Sequence, residues 1–389
     1  MRARAVASRI GAGLSTAPVA ANAAIEAARH ASAGLGGDVD LAFLFLSPHH
    51  LDDAPAAVHK LVEELGPRHL VGCVADGVIG GSREIEDGPA LAVWAGSLPG
   101  STIEPFHASG YETDDGIEIA GFPDPQGAEL VTMLVDPFTF PAGPFLAALN
   151  EEHPGVPIVG GIAAGGGEPG AQALIVDGEI HEEGAVGAFV SGVSVLTVVS
   201  QGCSPIGEDA VVTGAEGHVV YELAGRPALE RLRSEITSLP DDRQRLAAQG
   251  VLAGIVIDEN RAEYRRGDYL MRGLLGADEQ SGALAIGEEV RVGQTLRFHV
   301  RDAVSAEEDL NESLDAALDG VNAAGALLFT CNGRGTNMFG EPDHDARALT
   351  RALGAPAVAG FFCGGEIGPV GGAVFLHGFT ATMAVFLDA

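Results

Sequence analysis

One pattern recurs three times along the chain and restricts its fold more than any other feature. It is an apolar run, a short helix, and a second apolar run that ends in a glycine loop. In the first copy, residues 41–46 (LAFLFL) predict a buried strand. Asp52 or Asp53 then starts a helix with apolar Val58, Leu61, Val62 and Leu65, closed by Gly66. Residues 69–81 (HLVGCVADGVIGG) supply the second strand and its loop, and 90–95 a further strand. The second copy runs through a strand at 130–135, a helix at 144–150, the strand and loop PIVGGIAAGGG at 157–167, and the segments 171–177 and 185–191. The third has a strand at 326–330 and a helix capped by Asp343 that carries Ala346, Leu349 and Leu353 and closes at Gly354. A strand and glycine loop at 358–372 and a last strand at 379–386 complete it. Such units, joined without long linkers, favour mixed sheets covered by helices.

The first and third copies also share an upstream strand and helix. Residues 6–10 and a helix from about 16 to 31 precede the first. Residues 296–300 and a helix with the capping box Ser305/Glu308 and apolar Leu310, Leu314 and Leu318 precede the third. The fold class is therefore mixed α/β, in two related halves with an internal repeat. At 389 residues the chain exceeds one ordinary core. The boundary is expected near Gly225, giving domains 1–225 and 226–389.

Formal charge is −32, from 54 acidic and 22 basic residues, and Lys60 is the only lysine. So acidic a surface repels phosphate backbones and anionic lipid, so neither nucleic acid nor a membrane is an expected partner. No apolar run approaches the roughly 20 residues that span a bilayer. Cys73, Cys203, Cys331 and Cys363 show no C-x-x-C or Cys/His ligand spacing, so no metal is expected. They read as reduced thiols of a cytoplasmic protein. No cofactor is expected either: the glycines of PIVGGIAAGGG lack the dinucleotide spacing and its following acid, and no P-loop exists.

Two C-terminal loops carry the candidate chemistry. The first is Cys331, Asn332, Gly333, Arg334 and Gly335, after an apolar run; the second is Cys363, Gly364, Gly365 and Glu366. Glycines at strand ends let backbone N–H groups approach a ligand. Arg334 can hold a carboxylate through two parallel hydrogen bonds, and Glu366 can accept an ammonium group. Together they suit an amino-acid-like zwitterion. The plainer alternatives are a tight turn with Arg334 paired to one of the many surface acids, and Glu366 capping loop N–H groups or pairing with a structural arginine. His377 and Thr380, from HGFTAT, complete the candidate set. Cys331 or Cys363 would serve a cysteine-dependent enzyme only with a base in hydrogen-bond reach. No catalytic signature is present, and buried packing is the commoner role for an isolated thiol.

These segments resemble the FIST family, a sensory domain in two parts. The C-terminal likeness rests on residues 267–303, on CNGRG (331–335), on MFGEPDHDA (338–346), and on GFFCGGEIGPVGG with HGFTAT (360–382). The N-terminal likeness rests on LAFLFLS, GCVADGVIGG and GCSPIGEDAVVT. The resemblance implies a sensor that binds a small ligand, with amino acids as the proposed class; no kinase, methyl-accepting or F-box segment is visible, so the chain reads as stand-alone. Its output partner would be a separate signalling protein; an interaction scaffold without a ligand is the remaining alternative.

Overall fold

A computed structural model describes residues 8–113, 116–354 and 357–388. Contacts divide the chain into two units, Met1–Val199 with Leu310–Leu376 and Thr380–Ala389, and Ser200–Asp309 with His377–Phe379. This division differs from a linear cut at 225/226.

The first unit is built from the three expected copies. Copy one contains β1 (Arg9–Ser15), α1 (Ala20–Ser32), β2 (Leu41–Leu46), α2 (Ala54–Leu65), β3 (His69–Val74), β4 (Val78–Gly80), β5 (Arg83–Ile85) and β6 (Leu91–Ser97). The expected first strand at 6–10 lies partly outside the described residues. Copy two contains β7 (Thr102–Thr113), β8 (Gly116–Ala120), β9 (Leu130–Val135), α3 (Ala142–Glu152), β10 (Ile158–Ile162), β11 (Leu174–Val176), β12 (Glu179–His181) and β13 (Ala185–Ser191).

Copy three opens with β14 (Val195–Gln201). The second unit then interrupts it in sequence, with β15 (Cys203–Glu216), β16 (Val219–Leu223), β17 (Arg226–Pro227), α4 (Ala228–Ser238), α5 (Asp241–Gln249), β18 (Val251–Val256), β19 (Tyr269–Asp278), β20 (Ala283–Ile286) and β21 (Thr295–Arg301). Its sheet runs β15-β21-β18-β19-β20-β16-β17, and β15 also pairs with β16, so the sheet curls back on itself. Leu229 and Leu232 of α4 pack into its core with Phe298. Copy three resumes with α6 (Ala303–Leu318), β22 (Ala323–Cys331), α7 (Gly335–Phe339), α8 (His344–Leu353), β23 (Val358–Cys363), β24 (Glu366–Val370), β25 (Ala373–His377) and β26 (Thr380–Leu387).

The expected match between 296–300 and the N-terminal strand is corrected. β21 pairs with β15 and β18 in the second unit, and β14 occupies the edge beside β26 that β1 occupies beside β6. The expected Ser305 cap is corrected too. Ser305 lies inside α6 and donates to Asp302, whose carboxylate accepts the Val304 N–H.

Each copy centres on a parallel pair, β2 with β3, β9 with β10, and β22 with β23. An antiparallel strand flanks each pair, namely β6, β13 and β26. Along β2, Leu41, Phe43 and Phe45 face one core while Ala42, Leu44 and Leu46 face another. The second is shared with helix residues Ala24, Ala27 and Leu61. Equivalent inner residues, Leu130 and Leu134 from β9 and Leu327 and Phe329 from β22, join the first core. Within the first unit, one face of each of the three sheets therefore meets the others in a common centre, and helices cover the outer faces. Burial on both faces explains why these strands read as continuous apolar runs.

The glycine loop after each pair sends its hairpin to another copy's sheet. β4–β5 pairs with β23, β11–β12 with β3, and β24–β25 with β10. The exchange is cyclic, and it covers the strand edge that each pair would otherwise leave open. Register is the same in all three. Ile79 lies opposite Gly360, Ile175 opposite Gly72, and Ile367 opposite Gly160. The loops therefore converge at one end of the unit. Gly364 N–H donates to Ile162 O at 3.0 Å, and Ile162 N–H to Gly365 O at 2.8 Å. Asn332 from β22's loop bonds Asp76 from β3's loop.

Candidate functional site

β22 and β23 run parallel, and their last residues, Cys331 and Cys363, are register partners. The chain then turns tightly. Asn332 N–H donates to Cys363 O at 2.9 Å, Arg334 N–H to Cys331 O at 2.8 Å, and Gly333 N–H to the Cys331 sulfur at 3.4 Å. Gly335 has φ +63°, a left-handed conformation that favours glycine, and a Cβ there would also push on the Glu86 carboxylate, 2.6 Å away.

Arg334 is 0% exposed. Its Nε and Nη2 donate to Asp345 Oδ2 and Oδ1 at 2.6 and 2.8 Å. Thr330 Oγ1 donates to Asp345 at 2.7 Å, and His344 Nδ1 lies 3.0 Å from it. The guanidinium also sits 5.2 Å over the Phe339 ring, which stacks on His344. Burial alone would raise the Asp345 carboxyl, but the adjacent guanidinium overrides it and holds the group well below the usual carboxylate range. The parallel fork expected to take a ligand carboxylate is thus engaged by Asp345. Nη1 is the Arg334 nitrogen left without a hydrogen bond.

Glu366, on β24, is 0% exposed. Its Oε2 accepts both the N–H and the hydroxyl of Thr380, at 3.0 and 2.8 Å. No nitrogen or oxygen donates to Oε1. Burial pushes the carboxyl up to about 8, against the opposing pull of Thr380, the Cys331 thiol and Arg334. Glu366 is therefore mainly a neutral acid at pH 7.

The rest of the site comes from the hairpin donated by copy one. Glu84 Oε1 accepts the Ala346 N–H at 2.8 Å, near the start of α8. Asp343, expected to cap α8, instead accepts the Glu84 N–H at 2.7 Å. Burial first, and then the Asp345 charge, push the Glu84 carboxyl up to about 8. Glu86 accepts the N–H and hydroxyl of Thr336 at 2.9 and 2.6 Å.

The two loops and Thr380 are thus brought together around Arg334 and Glu366, with Asn332 and Gly364 exposed and Gly365 buried. His377 is buried at the end of β25 and belongs by its contacts to the second unit. Burial raises the Cys73 and Cys363 thiols far above the range of a poised thiolate. Among the described residues no His, Cys, Asp and Glu group is arranged to hold a metal. No helix among them is long and apolar enough to cross a membrane.

Sequence reasoning did not single out Asp345, Glu84, Glu86 or Asp76. Asp345 stands in the quoted stretch MFGEPDHDA, two residues after Asp343, and its place in the first turn of α8 was a usable signal. Glu84 and Glu86 had none, because the contact between Glu84 and Ala346 joins residues 262 apart.

Both raised carboxyls bind protons in the folded state that the unfolded chain has released. They therefore add stability below pH 4.5 that is lost as pH rises toward about 8. Glu84→Gln and Glu366→Gln are each expected to flatten the fall in unfolding free energy between those limits. Urea titrations at half-unit pH steps would measure this, and an unchanged slope in both variants would show that neither acid is held neutral.

Comparison with known proteins places these features in a larger set. The FIST N domain matches residues 40–226 and the FIST C domain residues 228–369. An uncharacterized protein of Mycobacterium tuberculosis is 46% identical over 384 residues, covering 98% of this chain and 100% of that protein. An uncharacterized protein of Mycobacterium bovis is 44% identical over 385 residues, covering 98% and 99%. A stretch of 91 residues, 22% of this chain, is 40% identical to part of an uncharacterized protein of Methanocaldococcus jannaschii.

Proposed function

We propose that this chain, which belongs to the FIST family, is a sensor whose first unit binds a small ligand at the ends of β22 and β23. FIST domains are sensory domains of signal transduction proteins. One observation carries the ligand reading: two fully buried ionisable side chains each keep a polar atom without a partner, Arg334 Nη1 and Glu366 Oε1. A buried unsatisfied polar group costs about 1–3 kcal/mol, which a bound ligand would recover. The exposed Asn332 and Gly364 form the entrance. The ligand class is an amino acid or a related metabolite, its carboxylate on Nη1 and its ammonium on Glu366. Output passes to a separate signalling protein in the cytoplasm, and residues 1–225 and 226–389 are the FIST N-like and FIST C-like domains.

A thermal-shift screen of amino acids and their metabolites tests this. A ligand at a hundredfold excess over its Kd stabilises the folded state by about 2.7 kcal/mol. An ammonium group must displace the Glu366 proton, in a site where Arg334, Cys331 and Cys363 are the other ionisable neighbours. Affinity for an amino acid should therefore rise about tenfold per pH unit up to about 8. No stabilising ligand, or a pH slope that survives Glu366→Gln, would remove the proposed site.

A further inference from the structure

Cys331 stands between the two side chains that keep an unpartnered atom. It ends β22, its sulfur accepts the Gly333 N–H at 3.4 Å, and at 8% exposure it is the most accessible of the four cysteines. Its thiol hydrogen-bonds the Glu366 carboxyl and its charge bears on Arg334, so the three groups share one small volume. A thiol flanked by an N–H donor, a guanidinium N–H and a carboxylic acid is suited to adding to a carbonyl whose oxygen those donors receive.

We propose that the pocket takes a small 2-oxo acid, the oxo counterpart of an amino acid, and that Cys331 adds reversibly to its C2 carbon. This rests on the pocket described above and specifies its ligand. The carboxylate lies on Arg334 Nη1 and the C2 oxygen faces Glu366 Oε1. The Sγ–C2 bond forms as the C2–oxygen π bond breaks. The π electron pair goes to oxygen, which takes the proton of Glu366, and Glu366 takes the proton of the thiol. The net change is addition of S–H across C=O, with no oxidant or reductant. A protonated Glu366 donates to an oxo oxygen, whereas only its ionised form receives an ammonium group. The same residue therefore discriminates between the two counterparts, and near neutral pH it favours the oxo acid.

Pyruvate labelled with carbon-13 at C2 is the probe, added to the full chain and followed by NMR. The expected result is a bound tetrahedral-carbon signal that disappears in Cys331→Ser and weakens at least about tenfold in Glu366→Gln, as loss of a positioned proton donor implies. Bromopyruvate, read by peptide mass, gives a second measurement on the unmodified protein. Cys331 should be alkylated at least about tenfold faster than the other three cysteines, as its greater access predicts, and pyruvate should protect it. Pyruvate that binds without a tetrahedral signal overturns the covalent step and leaves the pocket standing. Binding of amino acids but not pyruvate overturns the oxo-acid assignment alone. Binding of neither overturns the pocket and this inference together.

Discussion

Asp345→Ala is expected to lower the unfolding free energy by about 3–5 kcal/mol, the largest effect of any single side-chain removal at this site. The mutation leaves a guanidinium that is 0% exposed without its anion. It also strips partners from Thr330 and His344. The size follows from desolvation rather than from the strength of the ion pair. The folded state would have to hold a buried charge that the unfolded chain gives to water. An apolar replacement of the whole pair, Arg334→Met with Asp345→Leu, should therefore recover most of the loss. Urea denaturation of the two variants beside the parent would measure both quantities. A loss under about 1 kcal/mol in Asp345→Ala would show that Glu366, or Glu84 relieved of the Asp345 charge, ionises to replace the missing anion.

Gly360→Ala is expected to cost about 3 kcal/mol or more, through forced movement of backbone. A Cβ built there lies 1.7 Å from the Leu328 carbonyl oxygen on the neighbouring parallel strand. The same contact recurs at the equivalent position of each copy. It is 2.3 Å between Gly72 and Leu44, and 1.9 Å between Gly160 and Met133. Gly72→Ala and Gly160→Ala should therefore also destabilise. Gly364→Ala is the control, since its nearest neighbour would be 3.4 Å away, in ordinary contact. Thermal and urea unfolding of the four variants would test the repeat directly. A Gly360→Ala protein as stable as the Gly364→Ala protein would mean that the close strand approach is not required.

Much of the first unit was legible because its signals are local. LAFLFL at 41–46 is buried at every position, and a continuous apolar run is the local mark of a strand covered on both faces. Gly66 and Gly354 end their helices in the left-handed conformation, as expected of glycine after a last turn. The upstream strand of the third copy was misassigned because 296–300 is as apolar as a repeat strand. Nothing local reveals that β14 and α6 belong to one copy with the second unit between them. The capping of α6 and α8 was misjudged for a related reason. Several acids and hydroxyls near each start are chemically competent, and geometry selects Asp302 for one and Glu84 for the other.

For the site, the sequence by itself determined the two loops. Glycines beside cysteines, Arg334 and Glu366 at the ends of apolar runs marked where backbone turns and polar side chains enter a core, and composition made anionic polymers poor partners. Tertiary structure decided what those residues do. The cyclic exchange of hairpins brings Glu84, Glu86 and Asp76 from copy one against β22 and α8 of copy three, which no spacing along the chain encodes. Burial then sets the charges. Arg334 is held by Asp345 and offers only Nη1, while Glu366 keeps its proton because the folded unit withholds the water that would ionise it. Protonation depends on solvent and neighbouring charge, and both are fixed only once the three copies have closed around one another.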